Sequence, residues 1–335
     1  IHQQVICALR YRGKFPYIQE MAAGNQTTVT KFILLGFSIN PQLEVTLSVL
    51  FLLMYLLTLV GNLGMIILIR LDSRLHTPMY FFLSHFNLSF LDICYISTNV
   101  PQLLVNLSTR RRTISLPGCA AQMYLSLAFG MTECLMLGVM AYDRYVAICH
   151  PLHYTIIMNQ KLCTQMAATC WICSLLSSMV INVLTLRLPF CGPNTLNHYF
   201  CEVPAVLTLA CTDTSLTEMV VFIFSILIVF VPFLLIIISY GRILSAILRI
   251  HSARGRAKAF STCGSHLTVV TIFYGTAIFT YMRPTSKSSL DRDKVIAVFY
   301  TIITPMLNPL IYSLRNQEVK GFLRRVRIHK GSSNC

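Results

Sequence analysis

Seven apolar stretches separated by short charged segments govern what this chain can fold into. Val45 to Ile69, Leu162 to Leu186, Met219 to Gly241, Ala259 to Met282 and Val295 to Leu314 contain no Asp, Glu, Lys or Arg. Leu75 to Thr109 holds only Asp92, and Thr113 to Tyr142 only Glu133. A bilayer core takes roughly 20 apolar residues per helix, so each stretch is long enough to span one. Lipid offers the backbone no hydrogen bonds, and a helix satisfies its own. The fold class expected is therefore an all-α membrane protein with seven transmembrane helices.

Composition closes off the soluble alternatives. With 55% hydrophobic and 12% charged residues and a mean hydropathy of +0.65, the chain falls far from a soluble domain, where about 25% is charged. Its net charge of +15 does not point to nucleic acid. The basic residues sit in short clusters between apolar runs, as in membrane-flanking loops. Membrane lipid, not nucleic acid, is the expected surrounding.

Lys and Arg placement sets the orientation. With the N-terminus outside, the inner segments carry 15 basic residues, among them Arg242, Arg249, Arg254, Arg256 and Lys258 before the sixth run. The outer segments from Met21 onward carry 9, including the contrary cluster Arg110–Arg112. The bias favours N-outside, C-inside. Cys191, Cys201 and Cys211 then fall in one outer loop, as an oxidising face requires, and Cys119 opens the third run. Four cysteines allow three pairings. Asn25-Gln26-Thr27 is a glycosylation sequon in the outer N-terminal segment, Asn106-Leu107-Ser108 a second in the first outer loop, and Asn87-Leu88-Ser89 a mid-span match of no use to a glycan.

The organisation expected is an upstream extension over 1–20, an extracellular segment 21–44, a seven-helix domain 45–314 and a cytoplasmic tail 315–335. In the tail Val319, Phe322, Leu323 and Val326 recur at helical spacing among basic residues. That pattern predicts a short amphipathic helix on the inner membrane surface.

Several residues carry chemistry. Asp143-Arg144-Tyr145 ends the third run. There Asp143 can hold the guanidinium, and a freed Arg144 offers donors to a partner. Asp92 and Glu133 are acids in different spans, where a lone charge is costly and usually functional. Pro232 and Pro305 remove backbone donors within spans and should kink or loosen them.

These features, with Asn308-Pro309-Leu310-Ile311-Tyr312 at the end of the seventh run, resemble a rhodopsin-like G-protein-coupled receptor. LHTPMYFFLS, MAYDRYVAICHPLHY, KAFSTCGSHL and PMLNPLIYSLRN, in that order, are similar to the olfactory receptors of tetrapod type, from Met21 to about Val326. The resemblance implies disulfides Cys119–Cys201 and Cys191–Cys211. It implies an activation switch of Asp143, Arg144, Tyr145, Tyr240, Asn308, Pro309 and Tyr312. Asp92 and Glu133, near Asn62 and Asn308, would form a sodium or water site, or else a protonated, hydrogen-bonded pair.

The ligand pocket by family position is Ser126, Leu127, Gly130 and Met131 on the third span, Phe224, Ser225 and Ile228 on the fifth, Tyr274, Ala277 and Tyr281 on the sixth, and Val298 and Thr301 on the seventh. This apolar, uncharged set suits a small, neutral, volatile ligand. The implied partners are an odorant and a heterotrimeric G protein of the stimulatory olfactory type, raising cyclic AMP, with no cofactor and no enzymatic activity.

The rival readings lack their signatures. A transporter would show an internal repeat or matched broken spans, and an enzyme a convergent Ser-His pair or a His-Glu-x-x-His run. An amine receptor would need an acid where Ser126 stands, and an opsin a lysine within the seventh run. A metal site at His198–Glu202 is disfavoured because a disulfide-bonded Cys201 has no thiolate to give.

Overall fold

The computed structural model describes residues 29–37, 41–72, 78–83, 87–109, 112–191, 194–249, 251–281 and 290–315. The extension 1–20, Asn25 and the tail helix with Val319, Phe322, Leu323 and Val326 lie outside these. Seven long helices make up the bundle: α1 (Pro41–Leu71), α2 (Leu88–Ser108), α3 (Leu116–Cys149), α4 (Gln160–Leu186), α5 (Ser215–Leu248), α6 (Ala253–Tyr281) and α7, built from Leu290–Val298, a π turn Phe299–Ile303 and Thr304–Arg315. Six are long and apolar enough to cross a membrane; in α6 the apolar part is Cys263–Phe279.

Helix α3 is the axis of the bundle. Within its apolar window 67% of residues are buried by protein, against 17% in α5, so α5 turns most of its surface outward. Leu234, Leu235, Ile237 and Ile238 on α5 and Leu53, Val60 and Ile67 on α1 are exposed. Apolar faces of this extent, on helices long and apolar enough to span a bilayer, suit contact with lipid. Helix starts are locally specified. Ser115 Oγ accepts the Gly118 amide at 3.2 Å, one residue after Pro117, and Asn159 Oδ1 accepts the Leu162 amide at 2.9 Å at the start of α4. Both are N-caps that satisfy otherwise unpaired helix donors.

The two proline breaks take a specific form. Pro232 and Pro305 each stand second in the α-helical segment that follows a π turn, Ile226–Phe230 in α5 and Phe299–Ile303 in α7. Proline cannot donate to the carbonyl four residues back and its ring crowds that carbonyl. A widened turn relieves the crowding: the amides of Val231 and Thr304 reach back five residues, to Ile226 and Phe299. Pro309 lies within the last helical segment of α7 and has no amide to give the Pro305 carbonyl, which accepts Asn62 Nδ2 at 3.1 Å from α1.

Two prolines dock on glycine. A Cβ at Gly61 would lie 2.9 Å from Pro309 Cγ, and one at Gly138 would lie 3.1 Å from Pro232 Cβ. Close approach of α1 to α7 and of α3 to α5 therefore depends on the missing side chains.

One end of the bundle carries a lid. The segment before α1 forms strand β1 (Lys31–Leu34), antiparallel to β2 (Thr113–Ser115) and parallel to β3 (Thr195–Leu196). Phe32 and Leu34 are buried while Ile33 points out. The strand alternation in Lys31–Leu34 was readable in the sequence but does not figure in the expected 21–44 segment. Disulfides Cys119–Cys201 and Cys191–Cys211 hold the loop after α4, with Cα separations of 5.4 and 5.7 Å. Both expected pairings are present. Arg112, from the contrary basic cluster, pairs with Glu44 and donates to the Leu35 carbonyl at 3.1 Å. The second sequon does not fall in a loop: Asn106 lies within α2, 4% exposed, and accepts a hydrogen bond from Gln102. Asn87 is likewise buried, donating to the Phe81 carbonyl.

His198 packs beneath this lid, stacked on Tyr199 at 4.9 Å, with Nε2 3.4 Å from Glu202 Oε2. Burial, reinforced by Lys294, holds its imidazole down at about 3 from the usual 6.5.

Two outcomes follow from this packing. Gly61→Ala should destabilise the receptor by about 1–3 kcal/mol through overpacking against Pro309. Gly64→Ala, where an added Cβ meets nothing within 4 Å, should not; thermal unfolding in detergent separates the two. The folded state keeps His198 neutral down to about 3 while the unfolded chain protonates it near 6.5. Stability should therefore be flat above that upper value and fall as pH drops below it. The melting temperature between about pH 7 and about pH 5 reads this slope, and His198→Gln should flatten it.

Candidate functional site

A cavity opens beneath the lid, between α3, α5, α6 and α7. It is tight, with a volume of about 60 Å³. From α3 it is lined by Ser126, Leu127, Gly130 and Met131, from α5 by Phe224, Ser225 and Ile228, and from α6 by Ala277. These eight residues belong to the set that the family resemblance implies for the ligand pocket. Ser126 and Gly130, like Phe224 and Ile228, are one helical turn apart and share a face.

Three expected members sit elsewhere, and one is not described. Tyr274 turns away from the cavity, stacks on Phe233 at 5.3 Å and donates to the Cys134 carbonyl at 2.7 Å. Phe273, one position earlier and a turn from Ala277, takes its place. Thr301 is fully buried, its hydroxyl 2.8 Å from that of Tyr199 in the lid, and Val298 lies off the lining. Tyr300 lines the cavity instead. The π turn over Phe299–Ile303 breaks the 3.6-residue period, so a facing extrapolated along α7 misses. The Tyr281 side chain lies outside the described residues.

The remaining lining was not anticipated: Tyr95 from α2, Cys134 from α3, Ile181 from α4, Val203 from the lid, and Val221 and Val229 from α5. Val221 was within reach of a helical-spacing argument, one turn before Phe224 and Ser225. Tyr95, Ile181 and Val203 depend on how separate elements tilt together. A smaller chamber under the lid shares Tyr95, Ser126, Leu127, Val203 and Tyr300 and adds Glu202, whose carboxylate accepts the Tyr300 hydroxyl at 2.8 Å.

Below the cavity lies a polar cluster. Asn308 Nδ2 is 3.0 and 3.1 Å from the two Asp92 oxygens and 3.5 Å from Glu133 Oε1. Asp92, Glu133 and Asn308 are all buried. Glu133 Oε2 and Asn308 Oδ1 have no partner among the described residues, and neither does Oδ1 of Asn62, whose Nδ2 donates to the Pro305 carbonyl of α7. Unpaired, buried acceptor oxygens beside two acids are the donor set of a hard cation, so the residues fit sodium.

At the far end from the disulfides, Arg144 is 6% exposed. The expected Asp143–Arg144 clasp is absent among the described residues; Asp143 Oδ1 instead accepts the Tyr154 hydroxyl at 2.8 Å. Arg144 Nε and the Tyr312 hydroxyl are buried without partners among the described residues. Tyr240 makes no hydrogen bond to Arg144 among the described residues either. Its hydroxyl is 2.8 Å from His266 Nδ1, and His266 Nε2 is 3.1 Å from the Leu137 carbonyl. A carbonyl only accepts, so Nε2 carries the hydrogen and Nδ1 receives that of Tyr240. Tyr145 sits at the rim, 3.2 Å from His150 Nε2. Pro309 rests on Gly61.

Comparison with known proteins agrees with this geometry. The sequence profile of the olfactory receptor family matches residues 51–330. Human olfactory receptor 2G3 is 54% identical over 91% of this chain and 98% of its own length. Olfactory receptors 2A5 and 2A12, also human, are 55% and 56% identical over 90% of this chain and 97% of theirs. With its bundle of membrane-spanning helices, its lid disulfides and likeness over nine-tenths of its length, the chain belongs to the olfactory receptor family of odorant-sensing G-protein-coupled receptors, which are not enzymes.

Proposed function

We propose that this receptor binds a small, neutral, largely apolar volatile molecule in the cavity between α3, α5, α6 and α7 and activates a stimulatory, olfactory-type heterotrimeric G protein, raising cyclic AMP. The lid and its disulfides then face outside and the Arg144 end faces the cytoplasm at the plasma membrane. The observation that carries the reading is the joining of cavity and switch through α6. Helix α6 is tied to α3 by Tyr274 on the Cys134 carbonyl and by His266 on the Leu137 carbonyl. Phe273 and Cys134, adjacent in sequence to these contacts or part of them, line the cavity.

A ligand that needs more room than the tight cavity provides favours states in which α6 moves outward. Only a ligand with different affinity for the two states can shift them. Movement of α6 takes His266 from Leu137 and frees the Tyr240 hydroxyl. Arg144 is within electrostatic reach of Tyr240 and Tyr312, so the three can assemble as the switch, with Asn308 and Pro309 carrying the change along α7. Asp143 stays with Tyr154, and Arg144 is left to donate to the carbonyls of the Gα subunit. Between cavity and switch, sodium held by Asp92, Glu133, Asn308 and Asn62 would favour the state in which those oxygens converge.

In cells carrying the olfactory Gα, a cyclic AMP reporter should respond to members of a broad odorant panel. Arg144→Ala at equal surface level should remove the response; undiminished responses would sink the switch. For the cation, replacing sodium by choline should change agonist potency in the wild type by about 5-fold or more, the range of site-to-site coupling. Glu133→Gln should lose that dependence, and a wild type indifferent to sodium argues for the protonated pair.

A further inference from the structure

Hydrogen-bond accounting inside the cavity singles out one side chain. Four hydroxyls line it: Tyr95, Ser126, Ser225 and Tyr300. Three have already given away their hydrogens. Ser126 donates to Asn99 Oδ1 at 2.8 Å, Ser225 to the Val221 carbonyl at 2.8 Å and Tyr300 to Glu202 Oε1 at 2.8 Å. The Tyr95 hydroxyl has no partner among the described residues. It stands beside Gly130, where even a Cβ would come to 3.5 Å of the oxygen. Gly130 itself lines the cavity, so the absent side chain leaves the hydroxyl open to whatever occupies it.

We propose that the Tyr95 hydroxyl is the group that orients the ligand, and that the ligand class is therefore an apolar molecule with an accepting oxygen: a ketone, aldehyde, ester or ether. This rests on the odorant reading and deepens it. Three committed hydroxyls can accept but not donate, so they offer nothing to a carbonyl or ether oxygen. Around them the walls are apolar, with Ile228, Val229 and Phe273 at hand for the hydrocarbon body. Desolvating a carbonyl without a donor is costly, and the Tyr95 hydroxyl removes that cost; the Cys134 thiol, which also lines the cavity, is only a weak donor. A ligand without oxygen would instead leave the Tyr95 hydroxyl buried and unpaired. Both terms favour the acceptor, and a donor on the ligand is not required.

The test varies ligand and protein separately. Straight-chain alkanes, methyl ketones, alcohols and the methyl ethers of those alcohols, of about six to ten carbons to suit a cavity this small, are compared at matched length. Cyclic AMP response and thermal stabilisation of the purified receptor are read in parallel. In the wild type, ketones should be about tenfold more potent than alkanes, and converting an alcohol to its methyl ether should preserve potency. Tyr95→Phe, which keeps the ring, should erase the ketone advantage; Ser225→Ala, whose hydrogen is already committed, should shift potency less than Tyr95→Phe does. Equal potency of alkane and ketone in the wild type, loss of potency on methylation, or an undiminished ketone advantage in Tyr95→Phe overturns the proposal. Stabilisation by ketones without a cyclic AMP response upholds it and removes only the assumed coupling. Silence in both readouts, with normal surface staining, overturns the odorant reading itself and this proposal with it.

Discussion

Hydrocarbon offers no water to take up a broken backbone hydrogen bond, and this bundle is arranged around the places where its helices break. Pro309 withholds an amide from the Pro305 carbonyl, and Asn62 on α1 supplies the missing donor. Leaving a buried carbonyl unpaired costs about 1–3 kcal/mol, so α1 and α7 are bound at this point by a need of the backbone rather than by apolar packing alone. Gly61 lets the Pro309 ring approach closely enough for the contact to form. A second proline–glycine contact joins α5 to α3, where Pro232, just after the π turn of α5, meets Gly138. Both breaks are thus anchored to unbroken helices.

Those anchors decide which parts of the bundle can move. Helices α1 and α3 hold the broken segments through glycine contacts that leave little slack. Helix α6 has no such seat among the described residues. It is tied to α3 by side chains, Tyr274 and His266, each donating to one backbone carbonyl. A side-chain hydrogen bond of net worth about 1 kcal/mol is weak enough for a ligand's differential binding to offset. Rigid seats for α5 and α7 beside releasable ties for α6 make a two-state element out of an otherwise tightly packed core.

The legibility of this arrangement in the sequence followed the regularity of the backbone. The seven spans could be read from charge spacing because lipid imposes length and composition together. Ser126 and Gly130, implied by the family resemblance, share one face of the unbroken helix α3, and Phe224 and Ile228 line the same cavity although Ile228 falls within the π turn of α5. On α7 the π turn broke the helical period, and Tyr300 took the place expected of Val298 and Thr301. On α6 the difference is one residue, Phe273 in place of Tyr274; the Thr268, Thr271 and Thr276 hydroxyls bond back within the helix and mark no single face. Tyr95 and Val203 became visible only once tilts and the lid were in place. The Asp143–Arg144 clasp was a fair inference from adjacency, but adjacent helical residues point about 100° apart, and Tyr154 was better placed to meet Asp143.

The division of polar groups along the bundle axis explains how one scaffold can keep its switch while its ligand varies. Below the cavity, Asp92, Glu133 and Asn308 depend on one another for hydrogen bonds. Changing any one strands the others in a medium of low dielectric. Within the cavity, by contrast, Ser126, Ser225 and Tyr300 are satisfied by protein, and the rest of the lining is apolar apart from Tyr95 and the Cys134 thiol. Swapping Ile228, Val229 or Met131 for another apolar side chain reshapes the space without orphaning a polar atom. Substitutions of similar volume in such surroundings usually cost less than about 1.5 kcal/mol. Shape can therefore be retuned at little cost to the fold, whereas the polar cluster and the proline seats admit almost no change.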